Sequence, residues 1–269
     1  MIFKNFKELA EDVQVLLPKL PRDISEVYGV ARSGLLPAAM ISTLIGAKLG
    51  TIGDNVSRGG WRYDNLIKNK GSRTLLVDDS SFTGSAIQQA KDALGKDCTT
   101  CVIYVTEQSM DKVDIYGEVT DPDRIFLWNF LAKQSTHLFS FDLDGAIGTD
   151  PDHYDDDGEG YRQSIINAKP LYVPQTKIRM ICTNRISRWR PETEAWLAKY
   201  NVTYDELIMQ PHTTAVERRR GSNPAVFKAE NYKNRKESIL FVESHSAQAK
   251  IIARLSGKPV LSIEEMKLY

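Results

Sequence analysis

Leu75-Leu76-Val77-Asp78-Asp79-Ser80-Ser81-Phe82-Thr83-Gly84-Ser85 joins a hydrophobic run to two adjacent carboxylates and then to a loop of small and hydroxylated residues. Such a loop at the start of a helix offers backbone N–H groups, hydroxyls and the positive end of the helix dipole, which together suit a phosphate monoester. Carboxylates at a strand end can accept hydrogen bonds from a vicinal diol and lie near a cation. The segment therefore reads as a cradle for a ribose phosphate. A capped strand-turn-helix would account for one acid or hydroxyl but not for the whole string. A second stretch, Tyr28-Gly29-Val30-Ala31-Arg32-Ser33-Gly34, also leaves a strand and enters a helix. That places it at the carboxyl edge, where open α/β sheets bind ligands. Further along, His137-Leu138-Phe139-Ser140-Phe141-Asp142-Leu143-Asp144-Gly145 is an apolar strand that ends in a pair of carboxylates. In an extended segment residues i and i+2 point the same way, so one carboxylate can attack a phosphoryl group while the other shuttles the proton of the leaving oxygen.

The segment around Asp78 and Asp79 resembles the PRPP-binding motif of type I phosphoribosyltransferases. The resemblance implies that Asp78 and Asp79 hold the ribose hydroxyls and that Ser80, Ser81, Thr83, Gly84 and Ser85 wrap the 5-phosphate. The Arg32 segment looks like the pyrophosphate loop of that family, with Arg32 and the amides of Ser33 and Gly34 holding the diphosphate. The implied reaction is displacement at the anomeric carbon of PRPP, with Mg²⁺ neutralising the leaving diphosphate and no covalent nucleophile on the protein. Between the two motifs, Asp54 to Ser72 carries Arg58 and Arg62 among few apolar residues; a mobile lid and a plain surface loop both fit it.

The Asp142-Leu143-Asp144-Gly145 segment resembles the first motif of the haloacid dehalogenase superfamily, which makes Asp142 the nucleophile and Asp144 the acid/base. Similar motifs follow in order. Thr183, in Ile181-Cys182-Thr183-Asn184-Arg185, would be the phosphate-binding hydroxyl, and Lys228 the lysine that stabilises the aspartyl-phosphate, although Lys233 and Lys236 lie on the same stretch. Glu243, in Phe241-Val242-Glu243-Ser244, would complete an Mg²⁺ site with Asp142 and Asp144. Where the family usually has paired acids here, this chain has Glu243 alone, followed by Ser244 and His245.

These residues have to be positioned by regular elements. Apolar residues Phe6, Leu9, Ala10, Val13, Leu16 and Leu17 recur at helical spacing after Asn5, a capping residue, and before Pro18. Runs Glu26 to Val30, Thr74 to Val77, Cys101 to Val105 and Ile125 to Trp128 read as strands, alternating with helices Leu35 to Lys48 and Ser85 to Leu94. The alternation restarts after Lys133, with strands His137 to Phe141, Ile178 to Cys182 and Ser238 to Val242, and helices Glu192 to Tyr200, Ala225 to Asn231 and Ala247 to Leu255. The fold class expected is α/β, as two doubly wound parallel-sheet domains. By resemblance these are a phosphoribosyltransferase fold over 1–133 and a Rossmann-like haloacid dehalogenase fold with a minimal cap over 136–269.

Composition narrows the alternatives. A chain of 269 residues, 42% hydrophobic and 26% charged, has room for two ordinary globular cores. The formal net charge is zero, and neither half is basic, which argues against a nucleic-acid module. No apolar run spans a bilayer and the first residues carry no signal-peptide pattern, so a cytoplasmic protein is expected. Cys98 and Cys101 lack a second pair for a zinc site and read as strand packing. The acidic stretch Asp150 to Gly160 fails the calcium-loop spacing and reads as a solvated insert or small cap. Arg218-Arg219-Arg220 reads as surface slightly better than as a phosphate contact.

The expected activity is therefore bifunctional: 5-phosphoribose passes from PRPP to a nucleobase or similar acceptor with release of diphosphate, and the 5-phosphate of the product is hydrolysed. The alternative is a regulatory protein that binds PRPP or a nucleotide and carries a weak or inactive phosphatase domain. Expected partners are small molecules, namely PRPP, a base or other acceptor and a phosphorylated riboside. Nucleic acid and membrane are not expected, Mg²⁺ is the expected cofactor, and a homodimer is left open.

Overall fold

A computed structural model describes residues 1–52, 71–152, 158–221 and 223–269. Arg58 and Arg62, and the acidic residues Asp155, Asp156 and Asp157, lie outside the described residues. The chain divides into two compact units, Met1–Trp128 and Asn129–Tyr269. The break falls before Phe130 rather than after Lys133. Phe130 is buried in the second unit, its ring meets Tyr172, and its carbonyl accepts the Thr136 hydroxyl at 2.7 Å.

The first unit runs β1 (Ile2–Lys4), α1 (Phe6–Leu16), β2 (Ile24–Val30), α2 (Leu35–Ile45), β3 (Lys48–Ile52), β4 (Arg73–Ser81), α3 (Ser85–Leu94), β5 (Thr99–Val105), β6 (Ile115–Val119) and β7 (Arg124–Phe126). Asn5 caps α1 reciprocally: its side chain accepts from Glu8 N, and the Glu8 carboxylate accepts from Asn5 N. Leu9, Val13 and Leu16 form the buried face of that helix. Gly46, at φ +67°, ends α2 earlier than expected and frees Lys48–Ile52 to pair as an edge strand. The sheet order is β3-β2-β4-β5-β6, all parallel, with β1 and β7 forming a separate parallel pair. Alternate residues feed two cores. Val27, Leu75, Val77, Cys101 and Ile103 enter one with α1 and α2, while Tyr28, Leu76, Val102 and Cys98 enter the other with α3. Cys98 and Cys101 thus belong to separate cores, and burial raises both thiols.

The second unit runs β8 (Phe139–Phe141), α4 (Glu159–Asn167), β9 (Ile178–Ile186), α5 (Arg190–Lys199), β10 (Tyr204–Gln210), α6 (Ala215–Gly221), α7 (Pro224–Lys233), β11 (Leu240–Glu243), α8 (Ser246–Ser256), β12 (Val260–Ser262) and β13 (Lys267–Leu268). The order β10-β9-β8-β11-β12-β13 is parallel except at β13. Apart from β13 both sheets are parallel, and their inner strands are buried, as the alternation of elements implies.

Each sheet has one place where the chain changes direction across it. In the first unit this lies between β2 and β4, in the second between β8 and β11. Loops leaving such neighbouring strands turn away from each other and open a crevice at the carboxyl edge. Among the described residues no helix is long and apolar enough to cross a membrane.

Leu75 is fully buried in β4, three residues before the acid pair, whereas Val15 is 70% exposed on α1. Leu75→Ala is expected to cost about 2–5 kcal/mol in denaturant unfolding, and Val15→Ala less than about 0.5 kcal/mol. Equal midpoints for the two variants would contradict this assignment of the core.

Candidate functional site

In the first unit the Arg32 turn and the acid pair meet at the crevice between β2 and β4. A side chain at Gly34 would begin 2.7 Å from Asp78 Oδ1 and 2.9 Å from Asp78 Cα, so this position admits only glycine without displacing the acid. Gly34 leads into α2, Arg32 is exposed, and the Ala31–Arg32 peptide bond is cis. Asp78 and Asp79 are not at the strand end, because β4 continues to Ser81, with Asp78 opposite Val102 and Ser80 opposite Tyr104. Both acids are consequently buried. Burial, reinforced by the charge of Asp79, pushes Asp78 up to about 8. Burial also raises Asp79, opposed by the Trp128 indole, which donates to Asp79 Oδ2 at 2.6 Å. Trp128 is itself stacked on Phe126, which stacks on Tyr104.

The loop after Asp79 is shaped from behind. The Ser81 carbonyl accepts from Ser109 Oγ at 3.0 Å and from Arg124 Nη2 at 2.8 Å, the Phe82 carbonyl from Thr106 Oγ1 at 2.6 Å, and the Thr83 carbonyl from Lys112 Nζ at 2.6 Å. Three consecutive carbonyls are thereby committed to the protein. The buried Ser81 hydroxyl accepts from Gly84 N, Gly84 stands at φ +84°, and α3 begins at Ser85. Ser81 is thus a residue that fixes the loop from inside, whereas Thr83 and Ser85 share a hydrogen bond of 3.0 Å on its exposed side. Ser80 is half-buried. The loop leads into a helix N-terminus, the geometry that favours an anion.

In the second unit β8 stops at Phe141, and the backbone turns at 143–148, where the Leu143 carbonyl accepts from Ala146, Ile147 and Gly148. Asp142 and Asp144 nevertheless line one pocket of about 140 Å³, brought there by the turn rather than by strand periodicity. Gly145, at φ +74°, lies so close to Ser244 that an added Cβ would meet Ser244 Cβ at 2.6 Å. Asp142 N donates to Val242 O at 2.8 Å, which sets Asp142 beside Glu243 across the crevice.

Lys228 joins these two acids. Its Nζ is 2.9 Å from Asp142 Oδ2 and 2.9 Å from Glu243 Oε2, and the residue is 2% exposed. Burial acts to lower the amine, but the two carboxylates outweigh it and hold it above its ordinary value. Lys233 and Lys236, the alternatives on the same stretch, are exposed. Ser244 Oγ bridges Asp142 Oδ2 at 3.1 Å and Glu243 Oε1 at 3.3 Å. Burial, and next the Glu243 charge, raise Asp142 well above the usual carboxylate range against the pull of Lys228.

Asp144 is turned elsewhere. Arg185 Nε reaches both of its oxygens at 3.1 Å and Nη2 reaches Oδ1 at 2.5 Å, while Thr183 donates to Oδ2 at 3.4 Å. Thr183 is fully buried and its hydroxyl also accepts from Arg185 N. The three acids expected to hold a metal therefore do not gather as one group, and among the described residues no three His, Cys, Asp or Glu side chains do. Asp142 and Glu243 remain together, with one ammonium between two carboxylates. An excess negative charge and all-oxygen donors fit Mg²⁺, which commonly takes one or two carboxylates and keeps waters.

Reasoning from the sequence missed Trp128, Thr106, Ser109, Lys112 and Arg124 in the first unit, and Arg185 and Asp150 in the second. Arg185 had a signal, as a guanidinium at the end of an apolar strand directly after Thr183-Asn184. The others carry no local pattern, because their partners are distant in the chain. Arg218, read as surface, lines the pocket that contains Asp142.

No protein-family model matches the chain, and no curated protein matches it. Among solved structures, similarity covers 47% of this chain and 92% of a purine phosphoribosyltransferase from Pyrococcus horikoshii, at 21% identity and a TM-score of 0.36. The same shares are covered with a xanthine-guanine-hypoxanthine phosphoribosyltransferase from Helicobacter pylori, at 13% identity and a TM-score of 0.37. For an orotate phosphoribosyltransferase from Aeropyrum pernix the shares are 46% and 75%, at 19% identity and a TM-score of 0.30. At such identities and TM-scores, these similarities lend no weight to a shared activity.

Proposed function

We propose that the chain transfers 5-phosphoribose from PRPP to a nucleobase or similar acceptor with release of diphosphate, and then hydrolyses the 5-phosphate of the product. The observation that carries this reading is the seating of Gly34 against Asp78 at the crevice of the first sheet, which joins a turn bearing Arg32 to an acid pair and an anion-favouring loop. In this reading Asp78 and Asp79 accept hydrogen bonds from the ribose hydroxyls. The hydroxyls of Ser80, Thr83 and Ser85, with loop amides other than that of Gly84, hold the 5-phosphate, and Arg32 with the Ser33 and Gly34 amides holds the diphosphate. The acceptor attacks the anomeric carbon as the bond to diphosphate breaks, and the protein's part is to position and to stabilise charge.

In the second unit Asp142 attacks phosphorus as the bond to the ribose oxygen breaks, and Asp144 gives that oxygen a proton. Water, deprotonated by Asp144, then hydrolyses the aspartyl-phosphate to release phosphate and restore Asp142, while Lys228 keeps the attacking carboxylate oriented and offsets its charge. Bound beside Asp142 and Glu243, Mg²⁺ would supply counter-charge to the phosphate oxygens. A regulatory protein that binds PRPP is the second reading, favoured by the full engagement of Asp144 with Arg185.

Asp78→Asn is expected to act in opposite directions on binding and on stability. It should abolish detectable PRPP binding in calorimetry with Mg²⁺ present. A carboxyl raised above its unfolded value contributes stability that is complete below the ordinary carboxylate range and is lost as pH rises through about 8. The ligand-free variant should therefore gain stability over the wild type as pH rises from about 4 to about 8.5, by roughly 1–3 kcal/mol. Retained PRPP affinity in the variant would remove the transferase reading. In the wild type, PRPP affinity should climb as pH rises toward about 8, because the diol donates to the ionised acid.

Asp142→Asn is expected to eliminate phosphate release from a 5-phosphoriboside while leaving diphosphate release from PRPP unchanged. Beryllium fluoride with Mg²⁺ should bind the wild type and not the variant, read by fluorine NMR. Equal phosphate release by both proteins would refute the role of Asp142; release by neither would favour the regulatory reading.

A further inference from the structure

Asp78 and Asp79 are neighbours in β4 and both are buried, yet the fold holds them differently. Asp78 Oδ1 accepts from the Asp79 amide at 2.9 Å, a bond made within the strand itself. Asp79 Oδ2 accepts from the Trp128 indole at 2.6 Å, a bond from the far end of the unit. Burial raises both acids; the indole opposes this at Asp79, and the charge of Asp79 adds to it at Asp78. Of the two, Asp79 is therefore the acid that the fold equips to carry charge.

The donor is not free to turn away. The Trp128 ring stacks on Phe126 of β7, with centroids 5.0 Å apart and planes at 12°, and on Tyr104 of β5, at 6.2 Å and 22°. Phe6, at the start of α1, meets it at 5.9 Å. Tyr104 is fully buried, and its hydroxyl donates to Asp12 Oδ2 at 2.7 Å. β5 is also the strand paired with β4 around the acids, with Asp78 opposite Val102 and Ser80 opposite Tyr104. One sheet thus places both the indole and the acid. An indole donates and does not accept, so it occupies one carboxylate oxygen and leaves Oδ1 for another donor. A vicinal diol supplies such donors, whereas a diphosphate bound to Mg²⁺ presents acceptors and negative charge.

We propose that Trp128 is a positioning residue for sugar recognition in the first unit: by holding Asp79 Oδ2 it keeps Oδ1 as the acceptor for a hydroxyl of a vicinal diol. The inference rests on reading this unit as a binder of PRPP, but the two are separable by experiment. Trp128 acts through Asp79 and does not touch the sugar.

The test uses the full chain with Mg²⁺ and two probes: PRPP, which carries the diol, and inorganic diphosphate, which does not. Trp128→Phe keeps a ring in the stack and removes the N–H. It should bind PRPP at least about ten-fold more weakly than the wild type in calorimetry, the loss of a hydrogen bond to a charged group, and should bind diphosphate as the wild type does. A ring that only fills space would change neither affinity, and one that only supports the fold would change both. In the ¹⁵N-labelled wild type, the assigned indole N–H resonance of Trp128 should move on saturation with PRPP and stay in place with diphosphate; this measurement needs no variant to fold. Equal PRPP affinity in Trp128→Phe, a matching loss for diphosphate, or an indole resonance that PRPP leaves unmoved overturns the proposal. If the wild type binds PRPP and Trp128→Phe binds it equally well, the transferase reading stands and the inference falls. If the wild type binds no PRPP, the transferase reading falls and the inference with it.

Discussion

Asp78 and Asp79 stand side by side within a buried strand, and Asp142 and Glu243 face each other between two buried strands. In each unit, two like charges have been taken out of water at the carboxyl edge of a parallel sheet. Neither burial nor proximity favours this, and both raise the cost of ionisation. The two units answer the problem differently. The first offers neutral donors, the Trp128 indole and the Asp79 amide, and leaves Asp78 high. The second sets a buried ammonium between its acids and adds the Ser244 hydroxyl. Much of the surrounding structure follows from these two solutions, including the glycines that must yield space at 34 and 145.

The resulting site in the first unit is preorganised from its far side. Loop carbonyls at 81, 82 and 83 are each claimed by a side chain from a later part of the chain, and Arg124 and Ser109 are buried in order to do so. A backbone with its acceptors already satisfied on one side presents its donors on the other without further rearrangement, which lowers the ordering cost of binding an anion. In the second unit the same role falls to Arg185, which anchors Asp144 and, through Thr193, ties β9 to α5.

Strand and helix alternation, and the segments bearing Arg32, Asp78, Asp142, Thr183, Lys228 and Glu243, were legible in the sequence because hydrophobic runs end sharply at polar residues there. The burial of Lys228 rather than Lys233 or Lys236 was not legible, since a helix face shows its partner only after folding. Edge strands β3, β6, β10 and β13, and β12 beside the last of these, were missed for a related reason. They are short or mixed in character, and pairing with an inner strand, rather than their own periodicity, makes them strands. The length of β4 was misjudged because Asp78 to Ser81 read as a polar loop, whereas ladder bonds with β5 carry the strand through them. Arg124, Ser109 and Trp128 left no trace at all, because each acts on a residue more than one element away.

Trp128 is the last residue of the first unit, and it is also the donor to Asp79. A fragment designed to end with the final strand of that unit, at Phe126, would leave out the indole while retaining every sheet strand. Such a piece would keep its topology but lose the indole donor given to its more deeply buried acid. The excision boundary for an isolated first unit is therefore set by the chemistry of its crevice, two residues past the point where secondary structure alone would place it.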